Sequence, residues 1–174
     1  KIKDRVITVN GVSKGFAMTG WRVGYIAAPK WIADACTKIQ GQVTSATCSI
    51  AQMATKTAME ANPKKVKYMQ EAFEERRDLM LSLLKEIPGI KTNIPKGAFY
   101  FFPDVSYYFG KKNIENVIEN SNDLCMYLLN DAHVAVVSGS AFGTPECIRI
   151  SYAASEENIK EAIRRIKKSL SKLI

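Results

Sequence analysis

Residues 6–15 read Val6-Ile7-Thr8-Val9-Asn10-Gly11-Val12-Ser13-Lys14-Gly15, an apolar run that stops at Asn-Gly and then offers a serine and a lysine side by side. Four consecutive apolar or β-branched residues ahead of a glycine predict a buried strand and a sharp turn. Two chemistries compete for that turn. Gly11-x-Ser13-x-Gly15 has the outline of a hydrolase nucleophile elbow, with Ser13 attacking a carbonyl. A lysine set between small residues at a strand end is also suited to forming a Schiff base, which makes Lys14 the reacting group.

The surrounding chain narrows the classes. Its 174 residues suffice for one domain with a real core, or for part of a larger one. With 47% hydrophobic and 24% charged residues, the composition is globular and not disordered. No apolar run approaches the ~18 residues of a membrane span. Lys1-Ile2-Lys3-Asp4-Arg5 runs straight toward the first strand, so no secretory leader is expected in this stretch. Cys36, Cys48, Cys125 and Cys147 form no C-x-x-C pair and share the chain with one histidine, which argues against zinc and for free thiols in a reducing cytosol. The formal charge of +8 gathers at Lys64-Lys65-Val66-Lys67 and along the last helix. Without aromatic residues interleaved there, these cations predict a solvated helix face and no nucleic-acid partner.

Outward from the opening turn, Val23–Ala28 reads as a second strand stopped by Pro29, followed by a helix to about Gln42. A helix over 49–61 ends at Asn62-Pro63, and a long one over 63–86 closes at Pro88-Gly89. The texture then changes. Strands are expected at 90–94, 98–102, 134–137 and 147–152, with a helix over 121–131 between them. Ser155 with Glu156 and Glu157 opens a last helix whose apolar face includes Ile159, Ile163, Ile166 and Leu170. This is an α/β chain with a boundary near Pro63.

The hydrolase reading needs a helix after Ser13, then an acid and a histidine, for which Asp104 or Asp131 and His133 are available in that order. Thr19-Gly20-Trp21 and the strand after it make poor helix sequence. His133, at a helix-to-strand turn, also fits a plain C-terminal capping role. The lysine reading uses more residues. An amine bound to a phosphate-bearing aldehyde needs a planar anion partner, which Arg22 can supply, and Gly20 and Gly24 leave the backbone around it free to turn. A second arginine, Arg149, sits inside the apolar stretch Cys147-Ile148-Arg149-Ile150-Ser151. It is there either for a substrate carboxylate or for a structural ion pair.

The stretch Gly11-Val12-Ser13-Lys14-Gly15-Phe16-Ala17-Met18-Thr19-Gly20-Trp21-Arg22-Val23-Gly24-Tyr25 resembles, at every signature position, the cofactor-lysine signature of class I aminotransferases. These are fold-type-I enzymes dependent on pyridoxal 5'-phosphate, and the resemblance is to the bacterial-type aspartate aminotransferase subgroup. Pro95-Lys96-Gly97-Ala98-Phe99-Tyr100, Gly139-Ser140-Ala141-Phe142-Gly143 and Ile148-Arg149-Ile150-Ser151-Tyr152-Ala153 are similar to the family's later motifs, in the family's order.

The resemblance implies that Lys14 holds the cofactor and moves the substrate proton, and that Arg22 holds the phosphate with Ser13 close by. It implies that Arg149 and Phe142 serve the substrate, Arg149 by gripping its α-carboxylate. Some relatives carry a serine three residues before the lysine, where this chain has Gly11. The implied fold is α/β: residues 1–62 as the C-terminal end of the large cofactor-binding domain, and 63–174 as interdomain helix and small C-terminal domain. The family's glycine-rich phosphate loop, ring-stacking aromatic and pyridine-nitrogen aspartate have no counterpart here. The chain is therefore expected to be a C-terminal portion, inactive alone, of a cytoplasmic homodimeric enzyme that transaminates an L-amino acid, aspartate foremost, with a 2-oxo acid. A β-lyase or an aromatic or alanine aminotransferase would share the same three residues.

Overall fold

The computed structural model describes residues 2–113 and 117–174, and the chain divides into two compact units, residues 1–68 and 69–174. No helix among the described residues is long and apolar enough to cross a membrane.

In the first unit, β1 (Thr8–Gly11) and β2 (Gly24–Ala27) form an antiparallel pair in which Gly11 faces Gly24 and Thr8 faces Ala27. The strand expected over 6–9 lies two residues further on, and it is not buried: Val9 is 76% exposed. Apolar character marked a strand, but the pairing that defines its ends is set by the two glycines, between which the backbones approach closely. Helices α1 (Lys30–Val43) and α2 (Ser49–Glu60) follow. Among the described residues, Val12, Met18, Val23 and Ala51 form this unit's buried core, with Phe16, Ala54 and Ala58 packed beside them. Three of those four residues belong to the β1–β2 connection or its edge, so the small core fastens the loop that carries Lys14.

Helix α3 (Lys67–Lys85) crosses the boundary between the units. The single helix expected from Pro63 starts instead as a 3-10 turn, Pro63–Val66, with the Asn62 side chain accepting from the Lys64 amide at 3.0 Å. A proline at the first helical position and an Asn cap before it favour a start here, and the tighter turn then relaxes into α.

The second unit is a three-stranded antiparallel sheet in the order β3 (Tyr100–Phe101), β5 (Ile148–Ser151), β4 (Val137–Ser138), covered by helices. Residues 90–94 make only an isolated bridge, Lys91 to Asp104, and no strand. Helix α4 (Ser121–Tyr127) is capped by Asn120, whose side chain accepts from the amides of Asn122 and Asp123 at 2.8 and 3.1 Å. It widens into a π turn over Leu128–Ala132, and His133 ends it with φ +54 and its amide bonded to the Leu128 carbonyl. The capping role for His133 is the observed one.

Helix α5 (Glu156–Leu170) buries Ile159, Ile163, Ile166 and Leu170, spaced four, three and four residues apart, and Ser155 Oγ accepts from the Asn158 amide. Met80 and Leu84 of α3, Leu124 and Leu128 around α4, and Phe101 and Ile150 of the sheet complete that core. Each such side chain contributes about 1.5–3 kcal/mol by leaving water. The basic face of α5 is laced with acids. Glu161 accepts from Arg164 and Arg165 at 2.7 Å each, and these guanidiniums hold its carboxyl down at about 2. Lys167 reaches Glu86 at 2.9 Å. The cations form a solvated, ion-paired helix face, as expected.

Candidate functional site

The loop between β1 and β2 is built on local bonds and one buried anchor. Val12 is fully buried, and its carbonyl accepts from the Phe16 amide at 3.3 Å; the Lys14 carbonyl accepts from the Ala17 amide at 3.2 Å. With Val12 pointing in, Lys14 is exposed two residues on, at a cleft of about 620 Å³ lined also by Asn10, Ser13, Tyr25, Met59 and Val66. That volume is in the range of small-molecule and cofactor clefts, ~300–1,000 Å³. Gly11 faces the same cleft. A Cβ there would stand 3.0 Å from the Val23 carbonyl oxygen, tighter than ordinary packing, so a serine at this position needs the backbone at Val23 to give way.

Arg22 lies in a second cleft, of about 770 Å³, with Trp21, Thr47, Cys48 and Ile50. Its backbone is left-handed, φ +54, and its Nη1 donates to the Thr19 carbonyl at 2.9 Å. A non-glycine residue in that conformation costs on the order of 1 kcal/mol. The left-handed positions of this loop fall on Ala17 and Arg22. Ser13 and Lys14 are brought to one cleft, and Arg22 to another.

In the second unit, the pleat sorts the sheet residues. Ile148 and Ile150 of β5 and Phe101 of β3 face the core, while Arg149 takes the opposite face. Tyr100 is paired with Ser151, so it shares the face of Arg149. The guanidinium carbon lies 4.5 Å from the centre of the Tyr100 ring and 4.6 Å from that of Phe142. Among the described residues no carboxylate stands within ion-pair distance of Arg149, so a structural ion pair does not account for its charge. Arg149 and Phe142 are thus together. Tyr100 joins them, a residue not singled out from the sequence; its signal was the pairing of 98–102 with 147–152, and the register was missing.

The hydrolase alternative fails on geometry. Ser13 is followed by a turn, the 3-10 segment Thr19–Trp21 and an antiparallel strand, and no helix begins there. The acids it would need are engaged elsewhere. Asp104 accepts from the Ser106 amide at 2.8 Å, bonds that hold its carboxyl below the usual range, and Asp131 is bound by Lys172 and Ser169. No cluster of three metal-ligating side chains occurs among the described residues.

Comparison with known proteins matches this arrangement to one family. A bifunctional aspartate aminotransferase and glutamate/aspartate-prephenate aminotransferase of Petunia hybrida is 51% identical over 96% of the chain, which is 36% of that protein. An aspartate aminotransferase of Rhizobium meliloti is 44% identical over 99% of the chain and 42% of its own length. The crystal structure of an aspartate aminotransferase from that organism superimposes with a TM-score of 0.95 at 44% identity, covering 99% of this chain and 43% of that one. An aromatic aminotransferase from Pyrococcus horikoshii gives 0.86 at 38% identity, covering 97% and 44%. The chain spans about two fifths of the length of these relatives. Residues 1–166 match the aminotransferase class I and II family over an unbroken stretch that includes both the Lys14 loop and the Arg149 strand. The chain belongs to that family of α/β enzymes.

Proposed function

We propose that the whole protein is a pyridoxal 5'-phosphate-dependent aminotransferase that transfers the amino group of an L-amino acid, aspartate foremost, to a 2-oxo acid. The observation that carries this reading is Lys14, held at a cleft by the buried Val12 in a chain of the aminotransferase family. Relatives named for aspartate and for aspartate and prephenate support the substrate class.

The residues present suit the cofactor by their chemistry: a primary amine for an aldehyde and a guanidinium for a phosphate. When bound, pyridoxal phosphate supplies a carbonyl that takes up amines and a ring that withdraws electrons from the carbon attached to them. Lys14 would hold the group through its primary amine. Once freed, its Nζ would be the base that accepts the proton from the substrate Cα. Arg22 would hold the phosphate, its side chain reaching from its own cleft toward that of Lys14, with Ser13 a small neighbour. Arg149 binds the α-carboxylate through its in-plane N–H groups, and Phe142 borders the substrate; fixing the carboxylate fixes the direction of the Cα–H bond.

Residues 1–62 belong in this reading to the large domain, and 63–174 to the interdomain helix and small domain. A cytoplasmic homodimer is part of the same proposal, and the exposed thiols of Cys36 and Cys48 suit a reducing compartment.

The test is to add pyridoxal 5'-phosphate, reduce with borohydride and map the modified lysine by peptide mass spectrometry. Selective labelling of Lys14, reduced by Arg22→Ala, supports the assignment. Labelling spread evenly over the surface lysines of the full-length protein, or full activity in Lys14→Ala, overturns it. Initial rates with aspartate, phenylalanine and alanine as donors, and with prephenate as acceptor, then decide the side-chain specificity.

A further inference from the structure

Arg149 is a charged residue on a strand whose neighbours Ile148 and Ile150 are core residues, and it has no carboxylate partner among the described residues. What it has is two aromatic rings, 4.5 and 4.6 Å from its guanidinium carbon. The two rings come from separate segments, Tyr100 from β3 and Phe142 from the turn after β4. An aromatic face attracts a cation through its quadrupole, and guanidinium tolerates losing water over its flat faces better than ammonium does.

Both rings are themselves held. Tyr100 packs on Phe99 with centroids 4.6 Å apart, and Phe142 meets Phe102 edge-on at 5.9 Å. The turn carrying Phe142 starts at Ser138, whose Oγ accepts from the Ser140 amide at 3.2 Å and lies 2.9 Å from the fully buried Ser121 Oγ.

We propose that Tyr100 and Phe142 are positioning residues that fix the guanidinium plane of Arg149 and leave its N–H edge as the face offered to a planar carboxylate. This rests on Arg149 being the carboxylate anchor. The N–H donors of arginine lie in one plane, so occupying the space above that plane does not consume them. A side chain already held loses less freedom when the anion arrives, and the gain appears in affinity. Tyr100 acts through Arg149 alone in this reading, so its removal leaves turnover at saturation nearly unchanged.

The experiment uses the full-length, cofactor-loaded protein, with kcat and KM for L-aspartate and the Kd of succinate, a dicarboxylate with no amino group to transfer. Tyr100→Leu and Phe142→Leu are each expected to raise both KM and Kd roughly fivefold to tenfold, with kcat of Tyr100→Leu within about threefold of wild type. Tyr100→Phe, which keeps the ring, is expected to stay within about twofold. Pentafluorophenylalanine at position 142 keeps the ring's shape while reversing its quadrupole, so it tests the same point without disturbing the fold, and it is expected to weaken succinate. Arg149→Lys tests the anchor itself and is expected to raise the succinate Kd by about a hundredfold. If Arg149→Lys has that effect while the Leu and fluorinated variants bind succinate as wild type does, the anchor stands and the positioning role is wrong. If Arg149→Lys leaves succinate affinity unchanged, the anchor reading fails and this proposal with it.

Discussion

The hydroxyl of Tyr152 donates a hydrogen bond to the carbonyl oxygen of Ala98, 2.8 Å away and 54 residues earlier in the chain. Ala98 has a left-handed backbone, φ +59, so a strained position in the approach to β3 is fastened by a core tyrosine. The ring packs edge-on against Phe73 and Phe101. Tyr152→Phe keeps that packing and loses the bond, and is expected to cost about 1 kcal/mol by urea unfolding. Tyr152→Ala removes both and is expected to cost about 3–5 kcal/mol.

The turn bearing Phe142 depends on two small residues. A Cβ on Gly139 would lie 2.1 Å from the Thr144 carbonyl oxygen and 2.4 Å from that of Cys147, so the turn must move to admit one. Gly139→Ala is expected to destabilise by about 1–3 kcal/mol. Ser121→Ala, which removes the hydroxyl bonded to Ser138, is expected to cost about 1 kcal/mol, read from the thermal midpoint.

Acid sensitivity should localise in part to Asp131. Lys172 donates to its carboxylate at 2.7 Å and Ser169 Oγ at 2.7 Å, and these bonds, the lysine's first, hold the carboxyl below its usual range. Because the folded-state pKa is the lower one, the stabilisation is present above the unfolded carboxyl's titration near ~4. It is lost as pH falls through the folded-state value. Asp131→Asn should therefore be less stable than wild type at pH 6–7, about as stable at the acid end, and show a flatter pH dependence by denaturant titration.

Helix α5 should be the element least tolerant of truncation. Ile166 is fully buried in the core shared with α3 and the sheet. Ile166→Ala is expected to cost about 2–5 kcal/mol, while Lys168→Ala on the exposed face is expected to stay within about 0.5 kcal/mol.

Function and stability should diverge at Arg22. Its left-handed backbone favours glycine, so Arg22→Gly is expected to be as stable as wild type to within about 1 kcal/mol. The same variant is expected to lose selective pyridoxal phosphate labelling of Lys14, since the proposed phosphate partner is gone.

Much of this chain was legible without coordinates where one local rule sufficed. Helix α5 followed from the Ser155 cap and the spacing of Ile159, Ile163, Ile166 and Leu170, because helical bonds and side-chain periodicity are both short-range. The capping role of His133 and the Lys14 motif were likewise written in contiguous residues. The strands were read less well, since the ends of β1 are set by a partner strand and not by its own Val6 and Ile7, and 90–94 has apolar residues but only one bridged partner. Only the tertiary structure decided what surrounds Arg149. Antiparallel register places Tyr100 on its face, and a separate turn brings Phe142, from segments 49 and 7 residues away in sequence. Composition and spacing announce a charge in a strand, but which groups neutralise or orient it depends on contacts formed only when distant segments pack.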